Sequence, residues 1–181
     1  ADLQAIIDVR RGDEPLNDPE TIARVVAPLR ADVTREMTTA CCAIHDASDY
    51  GNSHVVKVVR DLNGDALYFS RAPVPYAGDR SPTQAASGDF DDAELGFSRT
   101  DRPIFKHLGI YAYRRDVLLR LAALPQTPLE LAESLEQLRA LEHGIRIHTV
   151  ETRDDSIGVD TPEDLERARA RLQAMRASEV A

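Results

Sequence analysis

Two acidic positions, far apart in a chain of 181 residues, stand where a carboxylate can reach a cation. Asp13 belongs to Gly12-Asp13-Glu14-Pro15, which follows an apolar run at 5–9 (AIIDV) that reads as a buried strand. Asp18-Pro19-Glu20 comes next, a helix start with Asp18 as N-cap and proline at the first helical position. Asp13 and Glu14 therefore fall in a strand-to-helix loop, at the edge where open α/β sheets bind ligands. Asp160 belongs to 158–165 (GVDTPEDL), where Thr161 caps, Pro162 opens the helix and Asp164 completes a capping-box variant. Because Thr161 takes the cap, Asp160 is left one position outside the helix without a capping task. Brought together, Asp13 and Asp160 make an all-oxygen site suited to Mg²⁺, which takes one or two carboxylates plus substrate phosphates. The plainer reading of each is a solvated turn carboxylate.

A third charged position is Arg71, in 55–75 (VVKVVRDLNGDALYFSRAPVP). Two apolar, β-rich runs flank Asn63-Gly64, a pair that predicts a type I′ hairpin turn. The second run leads straight into Ser70-Arg71-Ala72-Pro73, and Pro73 and Pro75 stop further strand pairing. Arg71 is thereby fixed at a strand end, where its planar fork can reach a bound anion. On the hairpin alone it is equally an exposed arginine. The run 105–113 (FKHLGIYAY) puts Phe105, His107, Gly109, Tyr111 and Tyr113 on one strand face. A glycine inside a strand marks close approach by a ligand or another backbone. The alternative is a half-buried histidine beside core aromatics.

The elements that must position these residues follow from periodicity. Ile22, Val25, Val26 and Leu29 give an amphipathic helix that Pro28 should end or kink. A strand over 37–44 (MTTACCAI) and a polar loop over 46–53 precede the hairpin. Residues 76–102 have no sustained period and read as a loop insertion on the surface. Val117, Leu118, Leu121 and Leu124 give a short helix closed by Pro125. Thr127-Pro128-Leu129-Glu130 is a capping box, opening a helix with Leu131, Leu135, Leu138 and Leu141 as its buried stripe and Gly144 as its stop. Glu133, Glu136, Gln137 and Arg139 occupy polar positions of that helix, to which periodicity assigns nothing. A strand over 145–150 and a closing helix carrying Leu165, Ala168, Leu172 and Met175 complete the order.

Composition bounds the rest. Hydrophobic content of 43% and charged content of 29% are those of a globular domain, and 1–181 reads as a single one. A net charge of −9 works against binding nucleic acid, although a small phosphorylated ligand needs only a few local cations. No apolar run approaches the roughly 20 residues that span a bilayer, and no signal-peptide pattern opens the chain. Cys41 and Cys42, adjacent within an apolar run, are poorly placed for a disulfide and read as small hydrophobes in a reducing, cytoplasmic setting.

Taken together, GDEP (12–15), VVKVV…ALYFSRAPVP (55–75), HLGIYAYR (107–114), LEQLRAL (135–141) and GVDTPEDLERA (158–168) resemble the 3-deoxy-manno-octulosonate cytidylyltransferase (CMP-Kdo synthetase) family, in its order and at about its spacing. The resemblance implies an α/β fold, part of a doubly wound, Rossmann-like nucleotidyltransferase mixed sheet with a β-hairpin and flanking helices. It implies coupling of CTP to the sugar acid Kdo with release of pyrophosphate, for lipopolysaccharide synthesis. By the same resemblance Asp13 and Asp160 are the Mg²⁺ ligands and catalytic carboxylates, while Arg71, His107, Tyr111, Glu136 and Gln137 line the Kdo pocket. The physics agrees: an arginine forks onto a carboxylate, and the other four can pair with hydroxyls.

Two departures from the family stand out. Nothing corresponds to its opening strand and CTP-cradling loop, so the chain reads as the C-terminal two-thirds of a cytidylyltransferase domain. Where family members read Asn-Val-Gln-Gly-Asp-Glu-Pro, this chain reads Asp8-Val9-Arg10-Arg11-Gly12-Asp13-Glu14-Pro15, one residue longer, a shift of about 3 Å at strand rise. The expectation is weak activity alone, and association either as a homodimer or with a separately supplied N-terminal half. A non-catalytic sugar-acid-binding or dimerising remnant, a sialic-acid-type cytidylyltransferase and an incomplete gene reading are the competing readings.

Overall fold

The computed structural model describes residues 6–10, 19–76 and 104–152, with helical positions at 166, 169 and 170. Six strands form one mixed sheet: β1 (Ile6–Arg10), β2 (Met37–Ala43), β3 (Lys57–Arg60), β4 (Ala66–Ser70), β5 (Phe105–Arg114) and β6 (Ile147–Glu151). Their order is β4-β3-β5-β2-β6, with β1 also paired to β5. β2 and β6 run parallel, and the other pairs are antiparallel.

The ten-residue β5 organises this sheet. β2 covers one edge of it from Met37↔Tyr113 to Ala43↔Phe105. The opposite edge is divided: β3 pairs at Phe105 and Lys106, and β1 pairs from Ile110 to Arg114. His107, Leu108 and Gly109 lie at the division, where the His107 N–H donates to the Val56 carbonyl at 2.8 Å.

Helices pack on both faces. On one, α1 (Pro19–Ala31) lays Val25 and Leu29 against Ala40, Cys42, Leu108, Ile110 and Ala112. On the other, Met37, Cys41, Phe69, Phe105, Tyr113 and Ile147 meet Val117 of α3 (Arg115–Ala123) together with Leu135, Leu138 and Ala140, the last two on α5 (Gln137–Glu142). The expected strand alternation is therefore present, with Cys41 and Cys42 on opposite faces. Both are buried free thiols, and burial pushes the Cys41 thiol up to about 11.

Four local expectations are corrected. The hairpin turn is not type I′, since Gly64 alone has positive φ (85°) and Asn63 does not. Instead the Gly64 N–H reaches the Asp61 carbonyl, the Asp61 carboxylate takes the Asn63 and Asp65 N–H groups at 2.8 Å, and Gly64 adopts the left-handed bend. This is a type I turn closed by a glycine, the longer hairpin connection that an aspartate before the turn favours. The stretch 46–53 holds a helical turn, α2 (Ala47–Gly51), capped by the Asp46 side chain. Pro28 does not end α1, which continues to Ala31. A helix-interior proline costs about 3 kcal/mol, and burying Val25 and Leu29 on either side, both 1% exposed, offsets it at roughly 2 kcal/mol apiece.

The fourth correction bears on the site. The helix expected from 128 onward is two helices, α4 (Pro128–Glu133) and α5, separated by Ser134 in the left-handed region (φ 54°, ψ 49°). Leu135 and Leu138 are buried as expected, but Leu131 is 60% exposed. Gly144 (φ 73°) ends α5, with the Ile145 N–H on the Ala140 carbonyl and the Gly144 N–H on the Leu141 carbonyl, a Schellman stop. The strand expected at 145 opens only after it, at Ile147. The two helices are joined by Glu130, 3% exposed, which takes both forks of the Arg139 guanidinium, one at 2.7 Å, and accepts the Thr127 N–H. The stretch 77–103, the loops holding Asp13 and Asp160, and residues 165, 168, 172 and 175 of the closing helix lie outside the described residues. Among the described residues no helix is long and apolar enough to cross a membrane.

Removing one partner of a buried pair strands the other charge. Glu130→Gln should lower stability by about 3 kcal/mol, read as a shifted denaturation midpoint at unchanged m-value. The Arg139 bonds outweigh burial and hold the Glu130 carboxyl below its ordinary range. Its contribution is thus complete above the unfolded-state value and is lost as pH falls through the folded one, so the gap between wild type and variant should close in acid.

Candidate functional site

β4 ends at Ser70, and the corner that follows is held by Glu133, the last residue of α4. The Glu133 carboxylate accepts the Ser70 hydroxyl at 2.6 Å, the Tyr68 hydroxyl at 3.3 Å and the Arg71 N–H at 2.9 Å. Burial alone would raise that carboxyl, but these bonds outweigh it and keep it below the ordinary carboxylate range. Arg71 answers in kind: its Nε donates to the Glu133 carbonyl at 3.0 Å and its Nη1 to the Ser53 carbonyl at 3.0 Å. Each side chain grips the other's main chain, so both guanidinium bonds end on neutral carbonyls. Arg71 is consequently anchored at the strand end rather than simply exposed. Two of its nitrogens are engaged, and among the described residues Nη2 meets no acceptor, which leaves the outer end of the group for an anion.

A second cation braces the corner from below. Lys57 in β3 is fully buried, and its ammonium donates to the carbonyls of Asn52 (2.8 Å), Val55 (2.6 Å) and Arg71 (2.8 Å). Burial pushes it below the ordinary lysine range, against the pull of Asp49 and Glu133. Three carbonyl partners are what lets the ammonium stay charged there.

Register connects this corner to β5. Lys57 faces Ser70 on one side and Lys106 on the other, so Arg71, Val56 and His107 lie in one row across the sheet. Two strand spacings put the Arg71 and His107 backbones roughly 10 Å apart. The His107 ring meets the edge of Phe69 (centroids 5.1 Å apart, planes at 80°) and tilts against Tyr111 at 5.2 Å, while Tyr111 lies 5.8 Å from Tyr113. Its Nε2 is 2.9 Å from the Thr39 hydroxyl. At the far end of this row of rings Tyr113 is buried, and burial first, then the Glu136 charge, push its phenol above the ordinary range. Glu136 is the exposed N-cap of α5, and Gln137 opens that helix only 5% exposed, its amide without a partner among the described residues.

The expected residues Arg71, His107, Tyr111, Glu136 and Gln137 thus line one side of the sheet, between the corner after β4 and the start of α5. The helix break at Ser134 gathers them, since it turns the Glu133 carbonyl toward Arg71 and restarts the chain at Glu136. Asp13 and Asp160 lie outside the described residues. Three contributors escaped sequence reasoning. Glu133 sits at an unremarkable polar position, and Thr39 is one of two threonines in a strand. Lys57 left a usable signal, a lysine inside VVKVV, where an interior charge demands partners. Chemically the arrangement offers one positive anchor, a histidine, a buried amide and a tyrosine, a set suited to a ligand with one anionic group and several hydroxyls. Among the described residues no group of three or more His, Cys, Asp or Glu side chains could hold a metal.

Comparison with known proteins agrees on one family. The sequence model of the family described as cytidylyltransferase matches residues 2–147. The chain is 47% identical to the 3-deoxy-manno-octulosonate cytidylyltransferase of Syntrophotalea carbinolica over 96% of its own length and 65% of the relative's. It is 46% identical to that of Geobacter sulfurreducens, covering 94% of this chain and 64% of the relative. A solved CMP:2-keto-3-deoxy-manno-octonic acid synthetase, complexed with CTP, superimposes with a TM-score of 0.74 at 40% identity, covering 94% of this chain and 62% of that one. The chain therefore spans about two thirds of the length of the relatives it matches.

Glu133→Ala removes the acceptor of two hydroxyls and a main-chain N–H. At neutral pH it should cost about 2 kcal/mol of stability, and Tyr68→Phe, losing only the long contact, under about 1 kcal/mol. Because the folded carboxyl is held low, its contribution is full above the unfolded-state value and fades as pH drops through the folded one. Denaturation followed by circular dichroism across that range measures both; a Glu133→Ala variant as stable as wild type would remove the corner from the account.

Proposed function

The chain belongs to the cytidylyltransferase family, and from that premise we propose that it forms part of an enzyme that couples CTP to 3-deoxy-manno-octulosonate, giving CMP-Kdo and pyrophosphate for lipopolysaccharide synthesis. The observation that carries the reading is 47% identity over 96% of the chain to a curated enzyme of that activity. The site supports it. The outer end of Arg71 takes the sugar carboxylate, while His107, Tyr111, Glu136 and Gln137 exchange hydrogen bonds with its hydroxyls. Catalysis on this reading is positioning plus charge stabilisation: the pocket fixes the anomeric hydroxyl against the α-phosphate of the nucleotide.

The donor set Asp13 and Asp160 fits Mg²⁺, being all-oxygen and doubly negative. These two aspartates would hold the ion, whose chemistry is to neutralise charge on both substrates as the new bond forms. Asp13 and Asp160 also serve as the catalytic carboxylates. We place the enzyme in the cytoplasm as a homodimer, or as one chain completed by an N-terminal half, with 1–181 one domain and 76–102 an inserted loop.

The test is direct. A polypeptide completed to the length of its relatives should release pyrophosphate from CTP and Kdo only when Mg²⁺ is present, and sialic acid should compete poorly. Arg71→Ala should weaken Kdo binding by about 1.5–3 kcal/mol, one charged hydrogen-bonding partner, while leaving CTP binding unchanged. Titration calorimetry reads both ligands separately. Kdo affinity unaffected by the substitution would end the assignment of Arg71.

A further inference from the structure

A cleft of about 280 Å³ opens at the turn end of the β3–β4 hairpin, away from the Arg71 corner. Asp65 and Arg71 bracket β4, roughly 20 Å apart at strand rise. The walls are the chain leading from α1 into β2, the hairpin turn and the start of β6. The turn is fastened to β6. The Gly64 carbonyl accepts the Thr149 N–H at 2.8 Å and the Thr149 hydroxyl at 2.7 Å. Asp65 bridges to His148, whose Nδ1 lies 2.9 Å from the Asp65 carboxylate. Gly64 packs so closely on that ring that a Cβ would meet His148 Cε1 at 3.1 Å. The cleft is therefore preformed, which lowers the cost of filling it.

Its carboxylates already have donors. Asp65 takes His148 and the Arg35 Nη1, the latter at 3.3 Å. Asp32 takes the Thr34 N–H at 2.9 Å and the Thr34 hydroxyl at 2.7 Å. Glu36 takes the Arg120 guanidinium and, at 3.4 Å, the Arg146 N–H. The guanidiniums on the wall are in the opposite condition. Among the described residues the Arg146 side chain, which is exposed, bonds no acceptor. Arg35 makes a single hydrogen bond, with Asp32 a further 3.8 Å from its Nε. Each guanidinium carries five N–H donors. Counting Arg120, three guanidiniums balance three carboxylates, so the charge is matched while the donors outnumber the acceptors.

We propose that this cleft is a second anion site, taking one phosphate group, free or as a monoester, between the Arg35 and Arg146 guanidiniums. The Asn63 amide, whose bond to Asp61 is long at 3.4 Å, adds a donor from the turn. Phosphate presents three or more acceptor oxygens in a tetrahedron, enough to meet two planar forks from different directions. A flat carboxylate meets only one of them well. With the local charge balanced, the cleft suits a single phosphate group rather than a polyphosphate. Nothing in this inference depends on what the Arg71 corner binds.

Proton–nitrogen NMR of the 181-residue chain, titrated with inorganic phosphate against sodium chloride at matched ionic strength, tests it. The Asn63 side-chain amide and the Arg35 Nε–H should shift together and reach half-saturation at about 1 mM, as two charged contacts would give. Arg146→Gln should weaken that binding about tenfold and leave the denaturation midpoint in chloride unchanged, because the Arg146 guanidinium holds nothing in the described fold. Arg71→Ala should leave phosphate binding as it is. Shifts that fail to saturate, that chloride reproduces, or that survive Arg146→Gln at full affinity overturn the proposal. Loss of binding in Arg71→Ala also overturns it, since phosphate would then sit at the other corner. Methyl phosphate separates the two sources: equal affinity supports an esterified group, and binding of the free ion alone supports inorganic phosphate.

Discussion

Two oppositely charged side chains, Arg71 and Glu133, hold each other's main chain rather than each other. A direct bidentate ion pair would neutralise the guanidinium and fill its fork. The reciprocal arrangement fixes Arg71 as firmly, through carbonyls that take no charge away. Lys57 completes it, because its ammonium binds the Arg71 carbonyl from within the protein. Two cations and one carboxylate meet within hydrogen-bond contact, so the corner is locally positive in a chain whose net charge is −9. Long-range attraction cannot bring an anion to such a molecule. A fixed local charge can still hold one that arrives.

The second constraint is the shape of β5. One of its edges is covered by β2 except at the slip opposite Gly109 and Ile110, and the other is divided between β3 and β1. The division falls at His107–Gly109, beside the register slip at Thr39. A regular ladder would leave no room for side-chain chemistry inside a sheet. Here the slip is local, and the Thr39 hydroxyl contacts the Ile110 carbonyl at 2.8 Å and the Leu108 carbonyl at 3.3 Å. The glycine then has a reason to be in the strand, since it sits at the point where the two partner strands part.

The sequence made the order of strands and helices readable, because alternation in 105–113 and capping signals at 18–20 and 127–130 act locally. It also suggested Arg71, His107, Tyr111, Glu136 and Gln137 as a set, through resemblance rather than through periodicity. What it hid were relationships across distance. The split of the helix after Glu133 depends on where Arg71 lies, 62 residues earlier, and no local pattern records that. The heptad-like leucines even argue for one helix, and Leu131 is exposed because tertiary demand at Glu130 and Glu133 outweighs the pattern. The turn at Asn63-Gly64 misled for a nearer reason, since Asp61 offers its carboxylate to two N–H groups and so favours the longer turn.

The balance of donors and acceptors also says which anion the corner can take. A triphosphate needs several cations or a glycine-rich nest to spread its charge. Within the described corner, Lys57 is spent on three buried carbonyls and Lys106 is paired with Asp49 at 2.8 Å. That leaves the outer end of one arginine, enough for a single carboxylate and too little for a polyphosphate. On the same side of the sheet lie an amide at Gln137, a phenol at Tyr111 and the His107 ring, groups that can pair with hydroxyls. A sugar acid has this composition, one charge and many hydroxyls, whereas a nucleotide has the reverse. The corner built on Arg71 and Glu133 is therefore suited to a ligand with a single charge and several hydroxyls, and a polyphosphate would need cations that this corner does not offer.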